Sequence, residues 1–217
     1  MTLPSEAEIQ RVSIAKYQRR AAGYDKSCGP TWPIRTRAIA GLQLQPGEVV
    51  LDVGCGTGLS LPLLQSAVGT SGKVYGFDQS PDMLAKALHR VQTEGWSQVE
   101  VFACSAQSLT LPQKVDAFLF HYTHDILRSP TAISRLLAWA KPGARVAIAG
   151  IQYFPAWMAP LNLWVYFKNY GYNGAPGDLR SPWDRIAPYL DDFERTSTQW
   201  GMGYIAFGRV KAIPSDA

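Results

Sequence analysis

Residues 51–60 read LDVGCGTGLS, with Gly54, Gly56 and Gly58 at alternate positions. The β-rich run VVLDV (49–53) comes directly before the first glycine, and the helical stretch LSLPLLQSAV begins directly after the last. Few folds accommodate that order. Glycine adopts left-handed backbone without a Cβ penalty, so such a loop bends sharply and lets main chain approach a ligand closely. In open α/β sheets ligands bind at this place, the carboxyl end of a strand. The spacing is G-x-G-x-G with Asp52 two residues ahead, not the G-x-G-x-x-G of dinucleotide binders, and no G-K-[ST] follows for phosphate.

The rest of the chain continues in the same rhythm. KVYGFD (73–78) predicts a second strand, and Ser80-Pro81-Asp82 opens a helix with a capping residue and proline at its first position. VEVFA (99–103), VDAFLF (115–120) and ARVAIAG (144–150) predict three more strands. A helix near 130–140 stops at Lys141-Pro142-Gly143, which turns the chain into the fifth strand. Strands alternating with helices predict a parallel sheet covered by helices. Ser181-Pro182-Trp183 starts another helix running to about Leu190. FERTSTQ (193–199) and GYIAFGRV (203–210), joined through Trp200-Gly201-Met202, predict an antiparallel hairpin.

Composition sets outer bounds. A chain of 217 residues with 47% hydrophobic and 18% charged residues has material for one globular domain and is not of the disordered class. Its N-terminus has no apolar core of signal-peptide length, and acidic residues there argue against a transit peptide, so a cytoplasmic protein is expected. Cys28, Cys55 and Cys104 are odd in number and widely spaced, which predicts reduced thiols rather than a disulfide framework or zinc knuckle. The longest apolar stretch, IQYFPAWMAPLNLWVYF from Ile151, is interrupted by two prolines, Gln and Asn and falls short of a membrane span. Contact with an apolar surface stays open. The net charge of +4 lies entirely in residues 1–40, where seven basic side chains face Glu6, Glu8 and Asp25. A solvated basic face is the ordinary reading of such a run, beside anionic substrate, lipid or nucleic acid.

Asp78 ends the second strand. An acidic residue there accepts hydrogen bonds from the two ribose hydroxyls of a nucleoside, and its distance from the glycine loop suits one β-α-β unit. VVLDVGCGTG, then VYGFDQSPDMLAKA, then Lys-Pro-Gly before the fifth strand and a terminal hairpin together resemble the class I S-adenosylmethionine-dependent methyltransferases. Within that superfamily the chain is most similar to the small-molecule branch that includes ubiquinone/menaquinone and phospholipid N-methyltransferases. The resemblance implies a Rossmann-like α/β fold with a seven-stranded, mostly parallel sheet and a terminal antiparallel hairpin. It also implies a single domain: a helical leader (1–40), a cofactor-binding half (41–150), an aromatic lid insert (151–180), and a helix with the hairpin (181–217).

The same resemblance implies S-adenosylmethionine as cofactor and S-adenosylhomocysteine as product. The backbone at Gly54, Cys55, Gly56 and Gly58 would cradle the methionine part, with Asp52 orienting the loop or meeting the ammonium. Asp78 would hold the ribose, and Gln79 and Met83 would flank the adenine. After the third strand the family usually places an acidic residue against the adenine amino group; here stand Ser105, Ala106 and Gln107. Tyr17 and Tyr24 resemble aromatics that close over the cofactor in some members, and plain packing is the alternative.

Two of the chain's three histidines fall in FLFHYTHDIL (118–127). In this fold the end of the fourth strand faces the transferable methyl, which makes His121, Tyr122, His124 and Asp125 the catalytic candidates. Methyl transfer is an in-line displacement, so placement of the nucleophile dominates, and a base matters only where that nucleophile carries a proton. Histidine suits that role near neutral pH. Local hydrogen bonding within the strand–helix turn is the alternative reading for each imidazole. No metal site is expected, since no helical H-x-x-x-H spacing is present.

HYTH stands where base-modifying amino-methyltransferases carry N/D-P-P-Y/F, so nucleic acid is not the expected substrate. Tyr153, Trp157, Trp164 and Phe167 in the insert are expected to line or cover an acceptor pocket, or else to form a helix core or dimer contact. The expected acceptor is a small apolar or aromatic molecule with an O or N nucleophile. A lipid or quinone at a membrane surface, reached by peripheral contact without a transmembrane segment, is an alternative. So is a member that binds the cofactor without methylating, since fold does not fix function. Monomer and homodimer are both compatible with the sequence.

Overall fold

The computed structural model of the chain describes Asp25, residues 28–169 and residues 179–212. Seven strands form one sheet: β1 (Val49–Val53), β2 (Lys73–Asp78), β3 (Val99–Ala103), β4 (Val115–His121), β5 (Ala140–Ile151), β6 (Leu190–Thr198) and β7 (Gly203–Val210). Their order is β3-β2-β1-β4-β5-β7-β6. Only β7 runs against the rest, paired antiparallel to both β5 and β6. This is the Rossmann-like sheet expected from the sequence.

Among the described residues the helices include α1 (Trp32–Gly41), α2 (Leu61–Val68), α3 (Pro81–Glu94), α4 (His124–Leu127), α5 (Pro130–Leu137) and α6 (Ala159–Asn169). All five residues of β1 are buried, as a central parallel strand requires with helices on both faces. Period-two alternation sorts β4 between two cores. Phe118 and Phe120 join Phe77, Leu136 and Tyr204 on one face. Ala117 and Leu119 join Ile34, Leu61 and Leu64 on the other. Burial of these side chains supplies the main driving force for the fold.

Several local expectations are corrected. Ser80 sits at the N-cap of α3, yet its hydroxyl makes no capping bond. The helix before β5 ends at Leu137, and Lys141-Pro142-Gly143 falls inside β5 as an irregularity where pairing with β4 jumps from Val115↔Ala140 to Ala117↔Arg145. No α-helix runs from Ser181 to Leu190; turns lead to a single 3-10 turn at Ala187–Tyr189, whose Pro188 cannot donate an amide to a longer helix. The insert contains α6. Of the leader, α1 and the turn before it are described, whereas Tyr17 and Tyr24 lie outside the described residues.

Candidate active site

Parallel register aligns the ends of three strands. Val53 pairs with both Phe77 and Phe120, so Gly54, Asp78 and His121 leave the sheet side by side. They open onto a cavity of about 260 Å³. Gly54 and Gly56 form part of its floor, Asp78, Gln79 and Met83 one wall, Ser105, Ala106 and Gln107 the next, and His121, Tyr122 and Asp125 the far side. Most of the sequence-derived candidates are thus brought together.

The three loop glycines, all with positive φ, do different work. A Cβ at Gly54 would come within 2.8 Å of the Thr123 side chain, and one at Gly56 would meet nothing within 4 Å. Gly56 therefore gives bare backbone to open ligand space. Gly58 does not line the cavity: a Cβ there would lie 2.8 Å from Leu61 and 3.3 Å from Ala87, so this glycine lets α3 pack against the start of α2.

Two further loop candidates also stand back from the cavity. The Cys55 amide donates to the Phe77 carbonyl at 2.8 Å, and its buried thiol is pushed up well above the ordinary range by burial. Asp52 is 2% exposed and lies near Arg35 and Ser60 beneath the loop. Burial pushes its carboxyl up to about 7, against the pull of the Arg35 guanidinium. Arg35 in turn donates to the Ser60 hydroxyl.

Asp78 lines the cavity with its carboxylate fixed by two backbone amides. One carboxylate oxygen accepts from the Gly56 amide at 2.9 Å and the other from the Ser80 amide at 2.8 Å. Burial raises its pKa to about 6; the two amides oppose the rise, and the charge of Asp125 adds to it. At the β3 end no acidic residue is present, and Ser105 is engaged with Ser108, whose hydroxyl accepts from the Ser105 amide at 3.2 Å.

The end of β4 is polar and under backbone strain. Tyr122 has φ of 61°, a left-handed conformation costly for a bulky residue and characteristic of functional sites. Its amide still donates to the Ala149 carbonyl at 2.8 Å, so β4 pairing with β5 extends through it. His121 Nε2, Tyr122 Oη and Thr123 Oγ1 are all buried without a hydrogen-bond partner, and all three residues line the cavity. Burial, together with the Arg35 charge, holds the His121 pKa well below the ordinary imidazole value, so the ring is neutral at pH 7. Burial pushes the Tyr122 phenol up to about 12.

His124 is placed elsewhere. It is absent from the cavity wall, and its Nε2 accepts the Ile151 amide at 3.2 Å, fastening α4 to the end of β5. Burial and the Arg128 charge lower its pKa to about 4. The local-bonding reading is the one its geometry supports.

None of the four substrate candidates lines this cavity. Tyr153 packs with Tyr122 against Ile151, Val165 and Leu179. Trp157, Trp164 and Phe167 are 81%, 51% and 68% exposed. The sequence reading also missed several wall residues, among them Thr123, Ile126, Arg128 and Arg185; Arg185 donates to the Arg128 carbonyl. Arg185 had no signal, because it lies 60 residues beyond the β4 turn in sequence and in no motif. Among the described residues, no group of three or more His, Cys, Asp or Glu could hold a metal ion, and no helix is long and apolar enough to cross a membrane.

The residues fit S-adenosylmethionine. Bare backbone at Gly56, a carboxylate at Asp78 suited to ribose hydroxyls, and unpartnered polar atoms at the β4 end supply the chemistry a nucleoside with an amino-acid tail requires.

Comparison with known proteins agrees. Residues 50–143 match the family model described as "Methyltransferase domain". The chain is similar to the 2-phytyl-1,4-naphtoquinone methyltransferase of Thermosynechococcus vestitus, 28% identical over 92% of each chain. It is also similar to the demethylmenaquinone methyltransferase of Anoxybacillus flavithermus, 32% identical over 48% of this chain and 45% of that one, so the match spans less than half the latter's length. Among solved structures, the N-methyltransferase NodS of Bradyrhizobium japonicum with S-adenosyl-l-homocysteine shares the fold, with a TM-score of 0.69 at 16% identity, covering 92% of this chain and 99% of that one. Residues 50–143 thus carry the match to a methyltransferase domain, and the sheet order and the cavity with its glycine floor agree with that match.

Proposed function

We propose that the protein methylates a small, largely apolar or aromatic acceptor at an O–H or N–H group held against the end of β4. One observation carries this reading. Three consecutive cavity residues, His121, Tyr122 and Thr123, each present a buried polar atom without a partner, and such atoms cost free energy until a ligand meets them. When bound, the cofactor supplies an electrophilic methyl on a sulfonium. The protein's own part is placement and water exclusion.

Burial keeps the His121 ring neutral, so Nε2 is open to accept a hydrogen bond from the nucleophile and to take its proton as the methyl transfers. Tyr122 stays a neutral phenol and donates from Oη. Phe77, Met83 and Ile126 exclude water from the same space. The relatives named for naphthoquinone and demethylmenaquinone methylation support an apolar acceptor.

A second reading, an acceptor taken from a membrane surface, is favoured by the exposed Trp157, Trp164 and Phe167, with Trp200 at 97% exposure. One experiment addresses both. The protein is incubated with methyl-labelled cofactor, a metabolite extract and, separately, lipid vesicles carrying extracted quinones; labelled products are identified by mass. A labelled small aromatic or apolar product supports the proposal, and a label found only in the vesicle arm favours the membrane reading. Binding of cofactor without S-adenosylhomocysteine in any arm would overturn both.

A further inference from the structure

Thr57 sits between the two glycines Gly56 and Gly58, is 1% exposed, and is absent from the cavity wall. Its bonds run to the opposite side of the loop. The Thr57 hydroxyl donates to Asp25 Oδ1 at 2.6 Å. The Thr57 carbonyl accepts from Arg90 Nε at 3.5 Å, and Arg90 Nη2 reaches Asp25 Oδ2 at 3.2 Å. Three residues far apart in sequence thus close a ring behind the cofactor loop.

On the ligand side the loop has one hold. The Gly56 amide, next to Thr57, donates to Asp78, the carboxylate that faces the cavity. Gly54, Gly56 and Gly58 all have positive φ, so the loop's shape rests on bonds at its ends rather than on side-chain packing of its own. The Cys55 amide is fixed to Phe77 and the Gly56 amide to Asp78, both in β2, while Thr57 is held by residues from outside the sheet, Asp25 and Arg90.

We infer that Asp25 is a positioning residue for cofactor binding: with Arg90 it fixes Thr57, and through Thr57 it sets the Gly56 amide against Asp78. This goes beyond the acceptor reading and stands whichever acceptor is used. Asp25 does not line the cavity, so it acts on affinity for the cofactor through the loop. Its backbone carbonyl also accepts the Cys28 amide at 3.3 Å, which ties the ring to the turn leading into α1.

The test uses the full chain, calorimetric titration with S-adenosylhomocysteine, and thermal melting without ligand. Asp25→Ala weakens binding about tenfold, the loss of a charge-assisted hydrogen bond. Asp25→Asn keeps an acceptor for the Thr57 hydroxyl and weakens binding only about threefold by the same reasoning. The unliganded melting temperature of Asp25→Asn stays within about 2 °C of the parent, because the Asp25–Arg90 pair is partly exposed and the Thr57 hydroxyl keeps an acceptor; Asp25→Ala, which leaves that buried hydroxyl unpaired, falls by about 2–4 °C. Thr57→Val weakens binding to a similar degree as Asp25→Ala, and the Asp25→Ala/Thr57→Val double variant is no weaker than the worse single one. Unchanged affinity in Asp25→Ala, a parallel drop in affinity and unliganded melting temperature in Asp25→Asn, or additive losses in the double variant each overturn the inference.

Discussion

The Gly56 amide and the Asp78 carboxylate meet at 2.9 Å, so the glycine loop is held in place by a carboxylate that also lines the cavity. If Asp78 receives the ribose, as we propose, loop shape and ligand recognition share one carboxylate. Asp78→Ala removes both together, and affinity for S-adenosylhomocysteine should fall by roughly 10- to 100-fold, as for loss of hydrogen bonds to a charged group. Asp78→Asn should be weakened less at pH 5 than at pH 8. The parent carboxyl has its pKa raised to about 6, so at pH 5 it is already largely protonated and resembles the amide. Titration at the two pH values checks the sign.

His121 and His124 should separate cleanly. His121→Ala is expected to lower kcat about 100-fold on the identified acceptor while cofactor affinity changes less than about threefold, the pattern of a lost proton acceptor. Equal loss of turnover in both histidine variants, with both folded, would argue against the assignment of His121.

His124→Ala should instead lower stability by about 1–3 kcal/mol, because the buried Ile151 amide loses its acceptor. The pH dependence follows from its lowered pKa. The folded ring has a pKa of about 4, and an unfolded one titrates near 6.5. Between those values the unfolded chain binds more protons, so this group's contribution to stability is present above about pH 6.5 and is lost as pH falls through about 4. Denaturant titrations across pH 4–7 should show a shallower acid loss in His124→Ala than in the parent.

Neighbouring glycines give the sharpest contrast. Gly56→Ala places a methyl in open ligand space and should weaken cofactor binding at least about tenfold, with about 1–2 kcal/mol of backbone strain. Gly58→Ala adds similar strain and also drives a methyl against Leu61 and the Ala87 backbone, so its melting temperature should fall further. If Gly56→Ala melted lower than Gly58→Ala, the division of labour between the two would be wrong.

The β1–loop–β2 part of the fold was legible because its signals are local. A strand, a glycine loop and Asp78 are close in sequence, and parallel pairing turns that nearness into a site. His121 and His124 looked alike for the same reason, being three residues apart; the left-handed turn at Tyr122 sends one to the cavity and the other toward Gly150 and Ile151. No linear pattern announces such a turn at a tyrosine. Residues 151–167 contain no charged side chain, so apolar periodicity has no polar face to contrast with, and α6 is not among the helices the sequence predicts. Arg185 and Asp25 reach the site region by long-range folding alone.

The reversed direction of β7 carries a wider implication. Because β7 pairs Ile151 with Gly203 and β6 pairs Thr198 with Gly203, the insert and the hairpin tip are delivered to the sheet edge that bears the cavity, yet on strands remote from β1, β2 and β3. A designer can then graft the segments near 152–169 and 199–202 while β1, β2 and β3 stay unchanged.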